Sequence, residues 1–179
     1  MKKILAFLMI LGFASSSCEP DDICDPTTPT TPRMLIQFFD FNNANVAKSV
    51  TSLKVIGDGM NEGVVLSPSA TGNLKYVTNE NSILLPLNTE ADLVKYTFII
   101  NYDNKNPLLV NKDNLEFKYT RQNIYVSRAC GFKTIFDLDE QNPFTLTDAA
   151  PADQMWIKYV IVKKKNIQFE NETIIQIYF

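Results

Sequence analysis

From position 94 to 102 the side chains alternate. Val94, Tyr96, Phe98, Ile100 and Tyr102 fall on one face of an extended chain, and Lys95, Thr97, Ile99 and Asn101 on the other. Leu115, Phe117 and Tyr119 repeat the pattern against Glu116, Lys118 and Thr120. A period of two cannot make the apolar stripe of a helix, which repeats every 3.6 residues; it makes a half-buried strand. Met34 to Phe39 is an apolar run interrupted only by Gln37, as for a strand covered on both faces. Residues 53–56 form another strand, stopped by the turn signal Gly57-Asp58-Gly59. Pro86 places the short strand at 83–87 at a sheet edge or a bulge. Residues 120–123 read as a turn into a strand at 124–126, resumed at 132–136 after Gly131. Strands at 155–162 and 173–179 close the set, and only 43–48 and the region near 148–154 permit a helix. About eight short strands between polar turns predict an all-β fold, a single antiparallel β-sandwich of immunoglobulin-like or transthyretin-like type.

The N-terminus follows a different logic. Met1-Lys2-Lys3 precedes an apolar run, residues 4–13, and then Ala14-Ser15-Ser16-Ser17-Cys18. A basic start, about ten apolar residues and a small-residue stretch describe a secretory signal. The run is shorter than the roughly 20 residues that cross a bilayer. Small residues ahead of a cysteine resemble the lipobox of bacterial lipoproteins, with Ala14 or Ser15 where leucine is more usual. On this reading residues 1–17 are a signal peptide and Cys18 is the lipidated first residue, tied to a membrane through its acyl chains. Residues 18–32 are an acidic and Pro/Thr-rich tether, in which recurrent prolines favour an extended chain. Residues 33–179 are then the sandwich domain. Glu19, Asp21 and Asp22 behind the cysteine resemble the surface-export signal of Bacteroidota lipoproteins, so both faces of the outer membrane stay open as the location.

Formal charge is −3 over the whole chain, and loss of Lys2 and Lys3 with the signal takes it to −5. An acidic domain is poorly suited to nucleic acid, whose binding depends on Lys and Arg against phosphate. The chain has no histidine. That removes Ser-His-Asp and Cys-His catalysis and the commonest metal ligand. Gly57-Asp58-Gly59 lacks the Lys-Ser/Thr of a phosphate loop. Asp137, Asp139 and Glu140 offer calcium oxygen ligands in principle, but without EF-hand spacing they read as an acidic strand end. Trp156 with Tyr102 or Tyr125 is the aromatic set for stacking on a sugar, against the plainer expectation that such residues are core. Lys163-Lys164-Lys165 reads as a solvated turn. No catalytic, metal or cofactor-binding residue is assigned.

With Cys18 acylated, Cys24 and Cys130 are the remaining thiols in an oxidising compartment, and a disulfide between them is expected. The alternative is separate fates, such as Cys24 bonding a partner. Ser127-Arg128-Ala129-Cys130-Gly131-Phe132 reads as a strand with a glycine bulge and a disulfide cysteine; the functional alternative makes Arg128 an anion contact or Cys130 a nucleophile.

Several segments resemble a known family. Thr31-Pro32-Arg33-Met34-Leu35-Ile36-Gln37-Phe38-Phe39-Asp40 resembles its opening, and Ile83-Leu84-Leu85-Pro86-Leu87-Asn88-Thr89 its middle. Tyr119-Thr120-Arg121-Gln122 and Val126-Ser127-Arg128-Ala129-Cys130-Gly131-Phe132-Lys133 are similar to its most distinctive stretch, and Asn171-Glu172 through Ile177-Tyr178-Phe179 to its end. The family is an uncharacterised group of Bacteroidota lipoproteins, domain of unknown function 6452. The resemblance implies a lipoprotein and no activity. The expectation is a non-catalytic envelope module with a protein or glycan partner; the alternative is a cell-surface glycan-binding protein or a carboxylate-dependent hydrolase.

Overall fold

The computed structural model describes residues 23–28 and 30–179. Among the described residues eleven strands run in chain order: β1 (Met34–Phe39), β2 (Leu53–Gly57), β3 (Val77–Thr78), β4 (Ser82–Leu85), β5 (Leu93–Ile100), β6 (Asn111–Ser127), β7 (Gly131–Leu138), β8 (Phe144–Asp148), β9 (Tyr159–Val162), β10 (Asn166–Ile167) and β11 (Thr173–Tyr178). They form two sheets packed together. One has the order β4-β1-β11-β9; the other has the order β10-β7-β6-β5-β2-β3, with β8 also on β6. The fold is an all-β sandwich, as the alternation predicts. Pairing is antiparallel throughout except between β1 and β11, which run parallel in the middle of the smaller sheet.

The core lies between the sheets. Ile36 and Phe38 of β1 and Ile175 and Ile177 of β11 meet Phe98 of β5, Leu115 and Phe117 of β6 and Phe136 of β7, all with no exposed surface. In β1 the buried residues alternate with half-buried Leu35, Gln37 and Phe39, so one face is fully covered rather than both. Pro86 follows β4, the edge strand of the smaller sheet, where its missing N–H costs no ladder bond. Gly59 closes the turn after β2 at φ +77°, a left-handed conformation that glycine adopts without a Cβ penalty.

Strand β6 is the spine of the larger sheet and departs from the sequence expectation. Residues 120–123 do not turn; the strand runs on to Ser127, and the reversal falls at Arg128, Ala129 and Cys130. Polar Thr120, Arg121, Gln122 and Asn123 look like a loop because they lie where the arm formed by β6 and β7 has left the core. The ladder to β7 carries them: Arg121 stands opposite Phe136 and Asn123 opposite Thr134. One edge of β6 pairs with β5 over residues 111–118. The other pairs first with β8 and then with β7, the chain looping out between them. The N–H of Asp139 donates to Lys118 O, and the N–H of Lys118 to Pro143 O, which fastens both ends of that loop. The short strands β3, β8 and β10 were not foreseen, and neither helix-permissive stretch is helical: 43–48 makes turns and a single bridge between Ala47 and Phe39, and 149–156 is an irregular loop.

Candidate functional site

Two places gather the chemistry-bearing residues, one at each end of β6. The first is the β6–β7 tip. Ser127 Oγ accepts the N–H of Cys130 at 3.0 Å, and Gly131 takes φ +69° as the chain enters β7; the register slips on the opposite strand, between Tyr125 and Ser127, so the bulge lies on β6 and not at the expected glycine. Cys24 and Cys130 stand at disulfide distance, with Cα atoms 4.9 Å apart at a sequence separation of 106. The chain after Cys24 is held along β7 rather than hanging free. Thr31 Oγ1 accepts the N–H of Thr134 at 3.0 Å. The Arg33 guanidinium makes a two-pronged contact with Glu170 at 2.7 Å for each bond, and the Arg33 N–H adds a third at 3.0 Å. These bonds hold the Glu170 carboxyl below its usual range. Both side chains are over a third exposed, so the pair orients the segment more than it stabilises it. Beside the bridge, Tyr125 (59% exposed) and Phe132 (68%) meet edge to face at 5.4 Å. Ile23 (78%), Asp25, Tyr125, Arg128 and Cys130 line an open hollow of about 500 Å³.

No heavy atom lies within 4 Å of a Cβ built on Gly131, so only its backbone conformation resists substitution. Gly131→Ala is expected to destabilise the protein by about 1 kcal/mol, read as a drop of about 3 °C in the melting midpoint. A neutral result would mean that the turn relaxes to another type.

The second place is at the opposite end of β6, and the sequence reading passed over it. Asp113 occupies an inward position of the series 113, 115, 117, 119 and has no exposed surface. Its Oδ2 accepts the N–H of Ile157 at 2.8 Å, while its Oδ1 has no hydrogen-bond partner. Asp148 of β8 stands directly opposite. Gln154, at φ +78°, ties the group together: its N–H donates to Asp148 Oδ2 at 2.9 Å, and its carbonyl accepts from Asn111 Nδ2 at 2.6 Å. Asp148 Oδ1 and Asn111 Oδ1 are buried and also lack partners. Burial pushes the Asp113 carboxyl up to about 6. The Ile157 and Trp156 N–H groups pull it down, and the charges of Asp148 and Asp153 push it further up. Asn111 and Asp153 border an adjoining surface cavity of about 480 Å³. The available signal was a carboxylate at an inward position of a clean alternation, where an apolar side chain is the rule.

The other candidates settle into the framework. Asp137 Oδ1 accepts from Asn166 Nδ2 at 2.5 Å, and Asp139 Oδ1 accepts the N–H groups of Gln141 and Asn142 at 3.0 and 2.7 Å. Those two backbone bonds lower the Asp139 carboxyl. Glu140 pairs with Lys165 at 2.6 Å, and Lys164 pairs with Glu172. The expected acidic cluster is therefore spent on turns and ion pairs. Among the described residues no three His, Cys, Asp or Glu side chains are grouped to hold a metal. Trp156 is buried, with its indole N–H on Phe98 O and its ring edge-on to Phe179 at 5.4 Å. Tyr102 accepts from Lys54 Nζ, and Tyr125 sits at the far tip, so the three aromatics share no platform. Cys18 lies outside the described residues.

Residues 52–179 match the model of a family of unknown function, DUF6452. The chain belongs to the DUF6452 family. The match takes in the middle, the distinctive Tyr119–Lys133 stretch and the end of the resemblance; the opening segment at Thr31 lies ahead of it. No curated protein and no solved structure matches the chain. For this DUF6452 sandwich, function has to be argued from its own residues.

Proposed function

We propose that this DUF6452 protein is an exported lipoprotein of the cell envelope, acylated on Cys18, whose sandwich serves as a non-catalytic binding or structural module close to its membrane. The observation that carries the reading is the pairing of Cys24 with Cys130, only six residues after the Ser16-Ser17-Cys18 segment. A structural disulfide belongs to an oxidising compartment, and the sequence supplies the export signal such a compartment requires. With the chain pinned at Cys24, Glu19 to Ile23 are the residues between the pinned point and the acylated cysteine. Five residues reach at most roughly 17 Å, so the anchored domain rides on the bilayer with its β6–β7 tip on the membrane side. A glycan-binding or hydrolytic role finds less support, because Trp156 is core, Asp113 is fully buried and the Oδ1 of Asp148 is buried beside it.

Changing Cys18 to alanine is expected to abolish metabolic palmitate labelling and to move the protein from the detergent phase to the aqueous phase of a Triton X-114 partition. Labelling that persists in the variant would refute the anchor. Recovery of the wild-type protein, unlabelled, from the cytosol would refute export as well.

A further inference from the structure

We propose that Asn111, Asp113 and Asp148 form a calcium-binding site that latches the 149–156 loop onto the end of the sandwich. Three buried oxygens, Asn111 Oδ1, Asp113 Oδ1 and Asp148 Oδ1, have no donor. A buried acceptor without a donor costs roughly 1–3 kcal/mol, and more when it is charged. Three of them on neighbouring residues leave a negative potential that a positive centre would offset. The residues are neighbours in the sheet. Asn111 and Asp113 are two residues apart on one face of β6, and Asp148 is the direct cross-strand neighbour of Asp113, a relation that puts Cβ atoms about 5 Å apart. Both Asn111 and Asp148 are bonded to the same backbone residue, Gln154. Asp113 is the most deeply buried of the three, a carboxylate with no exposed surface whose Oδ2 accepts the Ile157 N–H and whose Oδ1 is unpartnered.

No protein cation fills the role. Among the described residues no ion pair involves Asp113, Asp148 or Asp153, although Lys112 borders the adjoining cavity. The donor set is oxygen only, two carboxylates and one amide, which selects a hard cation over zinc or copper. Calcium fits better than magnesium. It accepts six to eight oxygens in irregular geometry, and here the strands supply three, while water from the cavity side can complete the shell. Bound there, the ion would fix β6, β8 and the loop leading to Trp156 and Ile157. It would also discharge the repulsion between Asp113 and Asp148. The site stands apart from the anchor and is tested without reference to it.

The full chain, stripped with EGTA at pH 7.5, is titrated with calcium chloride and followed by thermal melting. Half-saturation is expected at about 0.1–1 mM, the range of extracellular calcium modules. At 10 mM the melting midpoint should rise by about 5 °C. Asp113→Asn and Asp148→Asn, which preserve side-chain volume, should each remove that rise. A second reading needs no variant. Trp156 is the chain's single tryptophan, and its indole bonds to Phe98, the β5 neighbour of Asp113. Terbium bound at the site should therefore luminesce on tryptophan excitation, and added calcium should quench the emission. A midpoint that calcium leaves unmoved overturns the proposal. So does a rise that survives in both variants, and so does terbium emission that calcium does not displace.

Discussion

Replacing Cys130 with serine is expected to lower the stability of the protein by about 3 to 4 kcal/mol and its melting midpoint by roughly 10 °C. The bridge closes a loop spanning 106 residues of sequence, and in the chain-entropy model a loop of about 100 residues is worth close to 4.7 kcal/mol. Native bridges tend to deliver somewhat less, because the reduced chain retains structure of its own. Cys24→Ser should cost the same, and the double variant no more than either single one, since one interaction is removed in each case. The loss should be largely in the denatured state. The sandwich core contains neither cysteine, so the variants should keep a strand-rich far-ultraviolet spectrum. Local consequences should follow at the tether: without the bridge the segment keeps the Thr31 contact with Thr134 of β7 and the Arg33 contact with Glu170 ahead of β11, and proteolysis around residues 24–30 should accelerate. Peptide mapping without reduction checks the premise. Recovery of Cys24 and Cys130 as free thiols from the envelope would refute it.

A second large effect is expected at Asp113, with a definite pH signature. Its carboxyl titrates near 6 in the fold against an ordinary value of 3.8, because burial disfavours the charged form. A raised carboxyl means that the fold prefers the protonated state. The associated stability is fully present below about 3.8 and is lost as pH rises through about 6. The shift corresponds to about 2 to 3 kcal/mol. In protein stripped of divalent cations, Asp113→Asn should therefore be more stable than the wild type at pH 8 by about that amount. The advantage should be nearly full at pH 6, shrink as pH falls from 6 toward 4, and be small at pH 4. Asparagine keeps an oxygen for the Ile157 N–H and turns an amide donor toward the unpartnered oxygen of Asp148. Paired melts of the two proteins at pH 4, 6 and 8 read the difference directly. An advantage that is the same at all three values would point to improved hydrogen bonding alone and refute the ionisation account.

The buried carboxylate shows where legibility in the sequence ended. Asp113 sits in a strand whose neighbours Leu115, Phe117 and Tyr119 announce the inward face, so its orientation was written in the alternation. Its importance was not, because the cost of a buried charge depends on what stands opposite. Asp148 is 35 positions away on a strand that pattern reasoning did not find. The arm of β6 was misread for a related reason. Thr120 to Asn123 are polar because they lie beyond the core, and polarity there mimics a loop. Backbone pairing with β7 stabilises them as strand regardless of side-chain preference. The carboxylates at Asp137, Asp139 and Glu140 cap a turn and pair with Asn166 and Lys165. The two cysteines were paired by elimination, which needs only a count and a compartment, and the structure brings their Cα atoms to 4.9 Å.

What the sequence determined by itself is local. A period of two in side-chain character dictates extended chain and an inward face, because successive Cβ atoms point to opposite sides of a strand. Gly59 and Gly131 mark turns, because the positive φ needed there costs glycine nothing. Tertiary structure decided which strand lies beside which. The parallel pairing of β1 with β11, the placing of β7 and β8 along one edge of β6, and the meeting of Asn111, Asp113 and Asp148 all join residues far apart in the chain. Such contacts form because the whole apolar surface of both sheets is buried at once. No short window of sequence carries the information that selects them.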